Sequence, residues 1–334
     1  MTAASTWADG SEFGADGFAA LARRGLDLRG GASARRFPGK RIVNVFFDSS
    51  LRTRTSMEAA AHDLGMHCVT LNPGKDAWKL EHRDGVVMDG DCPEHVKEAV
   101  PVLAEYADLL GVRAFAGLKD PEDDAADAML GAFQRWSPVP VISLESARFH
   151  PLQGLADAAT LLHELGDVRK KRVVMTWAPH PRTLPQAVPN QFAMTCALLG
   201  ADLTIAHPEG FDLDPAVLAR VSGIAATNGG RIAVSHDQDE SLRGAVVVYA
   251  KNWSGWSYYG HREVEAARRA TLGSWTVTGA KMAKTEDAAF MHCLPVRRNV
   301  VVADEVLDSN RSLVIAEAGL RRWTAMALLE RMLS

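Results

Sequence analysis

The sequence predicts an α/β protein built from two doubly wound parallel-sheet domains joined by helices. Three observations carry that expectation. Short apolar runs rich in β-branched residues alternate with longer stretches whose apolar residues recur at helical spacing. The alternation comes in two series, interrupted near residues 146–170. The 334 residues suit two domains of ordinary size better than one.

The first series reads RIVNVFF (41–47), HCVTLN (67–72), DLLGVRAF (108–115) and VPVIS (139–143) as strands. Between them MEAAAHDLG (57–65), PEHVKEAVPVLAEYA (93–107) and DAADAMLGAFQRW (124–136) read as helices. HPLQGLADAATLLHELG (150–166) is strongly helical and is expected to bridge the domains. The second series reads RVVMTW (172–177), DLTIAH (202–207), RIAVSH (231–236), AVVVYA (245–250), AAFMHC (288–293) and SLVIAE (312–317) as strands. GLRRWTAMALLERML (319–333) is helical again and is expected to pack back on the first domain. The implied boundaries are 1–148, 149–318 and a C-terminal helix over 319–334. APHPRTLPQAVPN (178–190) holds four prolines in thirteen residues, a stiff loop of the kind that is usually functional.

Composition narrows the function. Hydrophobic residues make up 47% and charged residues 23%, as in a globular protein with a substantial core. A formal net charge of -4 argues against a broad nucleic-acid surface. No apolar run approaches the ~20 residues of a membrane span, and the start lacks a basic segment followed by an apolar one. Cys68, Cys92, Cys196 and Cys293 form neither a zinc pattern nor a disulfide framework. The expectation is a cytoplasmic protein without metal or cofactor.

In parallel sheets, ligands sit beyond the carboxyl ends of the strands. Ser50, Arg52, Thr53 and Arg54 follow the first expected strand, and Lys75 and Trp78 the second. Arg113 ends the third, and Glu145, His150 and Gln153 follow the fourth. Trp177, His180, Lys251, His292, Cys293 and Arg297 stand at equivalent places in the second series. Such a set describes a cleft between two sheets. FFDSSLRTRTS (46–56) is its strongest element, because a helix starting near Leu51 to Thr53 points free N–H groups at the strand end. Hydroxyls and a planar guanidinium there suit phosphate. Arg52 and Arg54 are two positions apart and cannot both face one ligand, so Arg52 is assigned to the anion and Arg54 to scaffolding or a carboxylate partner. Glycine fingerprints for nucleotides, G-x-x-x-x-G-K-[ST] and G-x-G-x-x-G after a strand, are absent.

Ser50-Leu51-Arg52-Thr53-Arg54 resembles the carbamoyl-phosphate motif S-x-R-T-R of the aspartate and ornithine carbamoyltransferase family. His150-Pro151-Leu152-Gln153 is similar to its H-P-x-Q, and His292-Cys293-Leu294-Pro295 to the H-C-L-P of its ornithine-type members. The resemblance runs over nearly the whole chain. It implies that Ser50, the Leu51 backbone, Arg52 and Thr53 hold the phosphate of carbamoyl phosphate. Arg113, His150 and Thr53 would surround the carbonyl oxygen, with Gln153 and the Leu294 backbone on the carbamoyl amide. Cys293 would sit beside the attacking amine, with no covalent intermediate, since an amine is already an adequate nucleophile.

The departures from the family pattern bear on the acceptor. The D-x-x-x-S-M-G segment with which ordinary ornithine enzymes receive a free α-ammonium is missing, and Ala250-Lys251-Asn252-Trp253 stands at that strand end. A lysine there suits a carboxylate, hence an acceptor whose α-amine is acylated. PGKDAW (73–78), MDGD (88–91), WAPHP (177–181) and AKNW (250–253) resemble the N-acylornithine branch, which contains N-acetylornithine and N-succinylornithine enzymes. The acetyl type carries glutamate at the second position after M-D-G-D, where this chain has Pro93, and a lysine shortly after R-R-N, where it has Val301. A carboxylate would repel a succinyl carboxylate and a proline leaves room, so the reading favours N-succinylornithine over N-acetylornithine, with ornithine behind both. Pro93 could also start a helix at its first position. His180, Arg182, Lys251 and Arg297 are candidates for the acceptor's two carboxylates, and Glu145 for its amide or amine.

The resemblance further implies a homotrimer with shared active sites, in which the loop bearing Lys75 and Trp78 reaches a neighbour's carbamoyl phosphate. It also implies a knotted second domain, an exception to the rule against threaded chains, and a place in arginine biosynthesis. An inactive carbamoyl-phosphate-binding relative and a nucleotide-binding dehydrogenase are the competing classes. The intact Arg52, Arg113, His150 and Cys293 count against the first, and the missing glycine fingerprint against the second.

Overall fold

The computed structural model describes residues 6–334. Its first sheet contains β1 (Thr6–Trp7), β2 (Arg41–Phe46), β3 (His67–Leu71), β6 (Leu109–Arg113) and β7 (Val141–Glu145), in the order β1-β7-β6-β2-β3. A separate two-stranded ribbon joins β4 (Leu80–Glu81) to β5 (Glu94–His95). The helices of this half are α1 (Gly14–Arg29), α2 (Arg52–Asp63), α3 (Val96–Glu105), α4 (Pro121–Ala126) and α5 (Ala128–Trp136). After α6 (Pro151–Leu165) come β8 (Arg172–Trp177), β9 (Asp202–Ala206), β10 (Arg231–Ser235), β11 (Val247–Lys251) and β12 (Ala289–Met291), ordered β10-β9-β8-β11-β12. Their helices are α7 (Ala187–Leu199), α8 (Pro215–Thr227), α9 (Gln238–Leu242), α10 (Arg262–Ala270), α11 (Gly279–Met282), α12 (Asp304–Leu307) and the closing α13 (Val314–Met332).

Every strand pair in both large sheets is parallel, as the strand-helix alternation predicts. Each sheet reverses its order once, between β2 and β6 in the first and between β8 and β11 in the second. Loops leaving neighbouring strands at such a reversal part to opposite faces and open a crevice at the carboxyl ends.

Alternation along β2 sets the two faces of the first sheet. Ile42 and Phe46 enter a core that continues through α1, α6, α7, α13 and the second sheet. Val43 and Val45 enter a smaller core with Val96, Leu110 and Phe133. Helix α6 is buried on nearly all sides and packs against α1, α7 and α13, which is why its sequence is apolar all round. Helix α13 packs on α1, α2 and α6.

Two expectations need correction. SLVIAE is not a strand: α13 already begins at Val314, and only Ser312 makes a bridge, to Phe290. A short β-branched run does not distinguish a strand from a helix start, and packing against three helices decides it. Pro93 does not start a helix either, because α3 begins at Val96 with His95 as its cap. Among the described residues, β1, a short 3-10 turn (Ser11–Phe13) and α1 precede the first strand read from sequence. Among the described residues, no helix is long and apolar enough to cross a membrane. No cluster of metal-ligating side chains occurs among them either.

Candidate active site

The carboxyl ends of the two sheets enclose a cavity of about 450 Å³. Its walls bring together Ser50, Arg52, Thr53, Arg113, Glu145, His150, Gln153, His180, Arg182, Lys251, Cys293, Leu294 and Arg297, all candidates from the sequence. Arg54, Lys75, Trp177 and His292 of the strand-end set lie outside it, and so do three residues given binding roles. Leu51 is exposed at the cap of α2. Trp78 is 61% exposed and donates from Nε1 to Glu94 Oε2 at 2.5 Å, and Pro93 is exposed on the same excursion of chain.

At the start of α2, Ser50 Oγ accepts from the Thr53 N–H at 3.1 Å and caps one of the free donors. Arg52 is half-buried against the cavity, and its buried Nε has no partner among the described residues. Burial pushes its guanidinium below the usual arginine range. Arg54 points elsewhere and pairs with Glu58 at 3.0 Å. Thr53 Oγ1 accepts from Arg113 Nη1 at 3.3 Å and from Arg321 Nη2 at 2.7 Å. The floor of this end of the cavity is therefore a hydroxyl between two guanidinium groups.

Arg113, the last residue of β6, also pairs with Glu145 on adjacent β7, Nη1 to Oε2 at 2.5 Å. His150 Nε2 lies 3.2 Å from the same carboxylate oxygen. Burial drives the imidazole well below its ordinary pKa, helped by Arg321 and Arg113, so His150 is neutral near pH 7. Burial raises Glu145, and the guanidinium of Arg113 opposes that shift.

The other wall comes from the second sheet. His180 and Arg182 close a tight turn in the proline-rich loop, where His180 Nδ1 lies 3.1 Å from the Arg182 N–H. Lys251 ends β11. The turn after β12 places Leu294 at φ 53, and its N–H donates to His292 Nδ1 at 2.8 Å. This left-handed non-glycine residue lines the cavity, and such backbone conformations cluster at functional sites.

Sequence reasoning missed Arg321, which is 4% exposed and lines the cavity from α13. It also missed Glu317 one turn earlier, fully buried behind the cavity. The available signal was spacing: Glu317, Arg321 and Thr324 repeat along one face of α13 together with apolar Leu328, so two charges occupy the buried stripe.

A cavity at two sheet reversals, lined on one side by guanidinium groups and on the other by cations plus a thiol, defines an α/β enzyme that joins an anionic donor to a second substrate. Residues 11–163 match the carbamoyl-P binding domain of aspartate/ornithine carbamoyltransferase, and residues 186–332 match its Asp/Orn binding domain. The chain belongs to the aspartate/ornithine carbamoyltransferase family, within its N-acylornithine branch. N-succinylornithine carbamoyltransferase from Bacteroides thetaiotaomicron is 44% identical over 294 residues, 88% of this chain and 87% of that protein. N-acetylornithine carbamoyltransferase from Xanthomonas campestris is 44% identical over 283 residues, 84% and 83% of the two chains. Acetylornithine transcarbamylase complexed with acetylcitrulline superposes with a TM-score of 0.95 at 39% identity, covering 98% of this chain and 99% of that one. Glutamate-to-alanine and glutamate-to-proline variants of N-acetyl-L-ornithine transcarbamylase, complexed with carbamyl phosphate and N-succinyl-L-norvaline, superpose equally well.

Proposed function

We propose that the chain transfers the carbamoyl group of carbamoyl phosphate to the side-chain amine of N-succinyl-L-ornithine, giving N-succinyl-L-citrulline and phosphate. Arg52, Ser50, Thr53 and the first N–H groups of α2 hold the phosphate. The neutral amine attacks the carbonyl carbon, the bond to the phosphate oxygen breaks, and phosphate leaves with the proton the amine gives up. Arg113 and Arg321, already fixed on Thr53, stand where charge develops on the carbonyl oxygen. His150 adds a neutral polar group there, and Gln153 with the Leu294 backbone faces the carbamoyl amide. Cys293 lies beside the amine. Donors fixed before reaction contribute about 10²–10³ in rate each.

The observation that carries the acceptor assignment is the presence in one sequence of Lys251, at the end of β11, and of proline at position 93. Lys251, His180, Arg182 and Arg297 offer positive partners for two acceptor carboxylates, and Glu145 faces the amide or amine. The alanine and proline variants of the acetyl enzyme, both complexed with a succinyl compound, support the absence of a glutamate as what admits a succinyl group, and Pro93 meets that condition. The second reading, N-acetylornithine, is kept open by relatives of that name at equal identity. Offering ornithine, N-acetylornithine and N-succinylornithine in parallel with carbamoyl phosphate, and measuring ureido product, decides. Faster turnover of the acetyl compound would falsify the succinyl assignment.

Trp78 and Pro93 lie outside their own cavity, and this supports a homotrimer in which they enter a neighbour's. Trp78, Val87, Met88, Val102 and Tyr106 are exposed apolar residues of the kind subunit contacts cover. The 1–148 and 149–318 domain division, a knotted second domain, a cytoplasmic location and a step of arginine biosynthesis complete this reading.

A further inference from the structure

Gln153 is held from behind by two carboxyl groups that never reach the cavity. Its Nε2 donates to Asp157 Oδ1 and to Glu317 Oε1, each at 2.8 Å. Its Oε1 accepts from Arg321 Nη1 at 3.1 Å. Glu317 Oε2 also accepts from the His292 N–H at 3.1 Å, which ties the turn carrying Cys293 and Leu294 to the same group. Asp157 and Glu317 are 0% exposed, and Gln153 is 1% exposed. Gln153 and Arg321 line the cavity, whereas Asp157 and Glu317 do not.

A primary amide has two N–H donors and one carbonyl acceptor. Here both donors are committed to carboxyl oxygens. Turning the amide over would set its carbonyl against two carboxyl groups and its N–H₂ against a guanidinium. Chemistry therefore fixes the orientation without reference to which terminal atom is which. What Gln153 can present to the cavity is an acceptor.

We propose that Asp157 and Glu317 are positioning residues for carbamoyl transfer, holding the Gln153 carbonyl toward the cavity so that it accepts an N–H of the carbamoyl group. The inference rests on the carbamoyl-phosphate reading, since an acceptor there has a use only for a donor that carries an amide N–H. It gives the site a means to distinguish the –NH₂ of a carbamoyl group from an isosteric methyl, because a buried acceptor left unpaired is costly.

The pair also sets local charge. Burial raises both groups, Asp157 to about 7 and Glu317 well above the carboxylate range, the latter also through repulsion from Asp157. The groups facing Asp157 are Glu317 and Arg321 on α13, Cys196 on α7 and Tyr249 on β11. One proton held between the two carboxyl groups leaves one negative charge beside Arg321. Asn at position 157 reproduces the protonated form: it keeps an acceptor for Gln153 and offers an N–H in place of the shared proton.

Calorimetry with phosphonoacetamide, its methyl ketone counterpart acetonylphosphonate, and inorganic phosphate tests the proposal on the full chain. Wild type is expected to prefer the amide over the ketone by at least about tenfold. Glu317→Gln places one acceptor oxygen before two N–H donors, so the preference should fall to about twofold or less, with phosphate affinity held within about twofold. Asp157→Asn should keep the preference. If Glu317→Gln does not accumulate, Asp157→Leu, with the same branched skeleton but without an acceptor, is read in the same way. An undiminished preference in the acceptor-deficient variant overturns the positioning role, as does an equal weakening of all three ligands. Wild type that binds neither phosphonate overturns the carbamoyl-phosphate reading instead.

Discussion

Arg113 and Glu145 meet at the carboxyl ends of adjacent strands as a buried ion pair, Nη1 to Oε2 at 2.5 Å. The pair shapes its surroundings, because the carboxylate that balances Arg113 also stands 3.2 Å from His150 Nε2. Even so, burial and the nearby guanidinium groups keep the imidazole neutral. The folded pKa of His150 lies below the unfolded value of about 6.5, so the native state binds fewer protons and stability falls as pH drops below about 6.5. His150→Asn should lose less stability than wild type between pH 7.5 and 5.5, read from urea midpoints. Parallel losses would show that His150 does not carry this dependence.

Arg52 and Arg54 should separate cleanly. Removing charge-assisted bonds worth about 1.5–3 kcal/mol predicts that Arg52→Ala weakens carbamoyl phosphate by roughly 10- to 150-fold, with much less effect on the acceptor. Arg54→Ala gives up an exposed pair with Glu58 worth about 0.3–0.5 kcal/mol and should bind normally. Calorimetry that finds equal losses for the two substrates of Arg52→Ala would contradict the phosphate assignment.

Pro93→Glu introduces a carboxylate where the acyl group of the acceptor is expected. The ratio of N-succinylornithine to N-acetylornithine turnover should drop by about tenfold, the effect of roughly 1.4 kcal/mol of repulsion. A ratio that does not move places specificity elsewhere.

Two glycines make opposite stability predictions. A Cβ on Gly154, inside α6, would stand 2.5 Å from Gln191 Nε2 and 2.8 Å from Thr195 Oγ1 of α7. Gly154→Ala should therefore cost about 1–3 kcal/mol through overpacking at the helix contact. Gly223 is exposed in α8, and a methyl group added there would meet nothing within 4 Å. Gly223→Ala should stabilise by about 0.4–1 kcal/mol. Denaturant titration of both variants checks the signs.

How much of this was legible before the structure follows from where each residue sits. Arg52, Arg113, His150 and Lys251 were readable because each follows or ends an apolar run, and polar residues at strand ends stand out. Arg321 and Glu317 were hidden because charges in a helix normally face water, and only their burial in α13 shows that these do not. The start of α13 was misread as strand for a related reason: Val314 and Ile315 are β-branched, yet Ile315 is 76% exposed and plays no part in a sheet. Helix α1 went unassigned although Phe18, Leu21, Ala22, Gly25 and Leu28 form its buried stripe, because glycine and alanine in that stripe weaken the apolar signal. Pro93 shows the opposite limit. Its identity was plain, but it is exposed and does not line the cavity between the sheets.

The contact between Thr53 and Arg321 spans 268 positions of the chain. During synthesis at about 5–20 residues per second, the hydroxyl would wait roughly 15–50 s for its second guanidinium. A nascent first half thus carries the phosphate motif but only part of its charge. On the proposed reading, the full grip on the donor comes only after the acceptor wall has been made, so a newborn chain would have little means to sequester a reactive acyl phosphate without a partner to receive it.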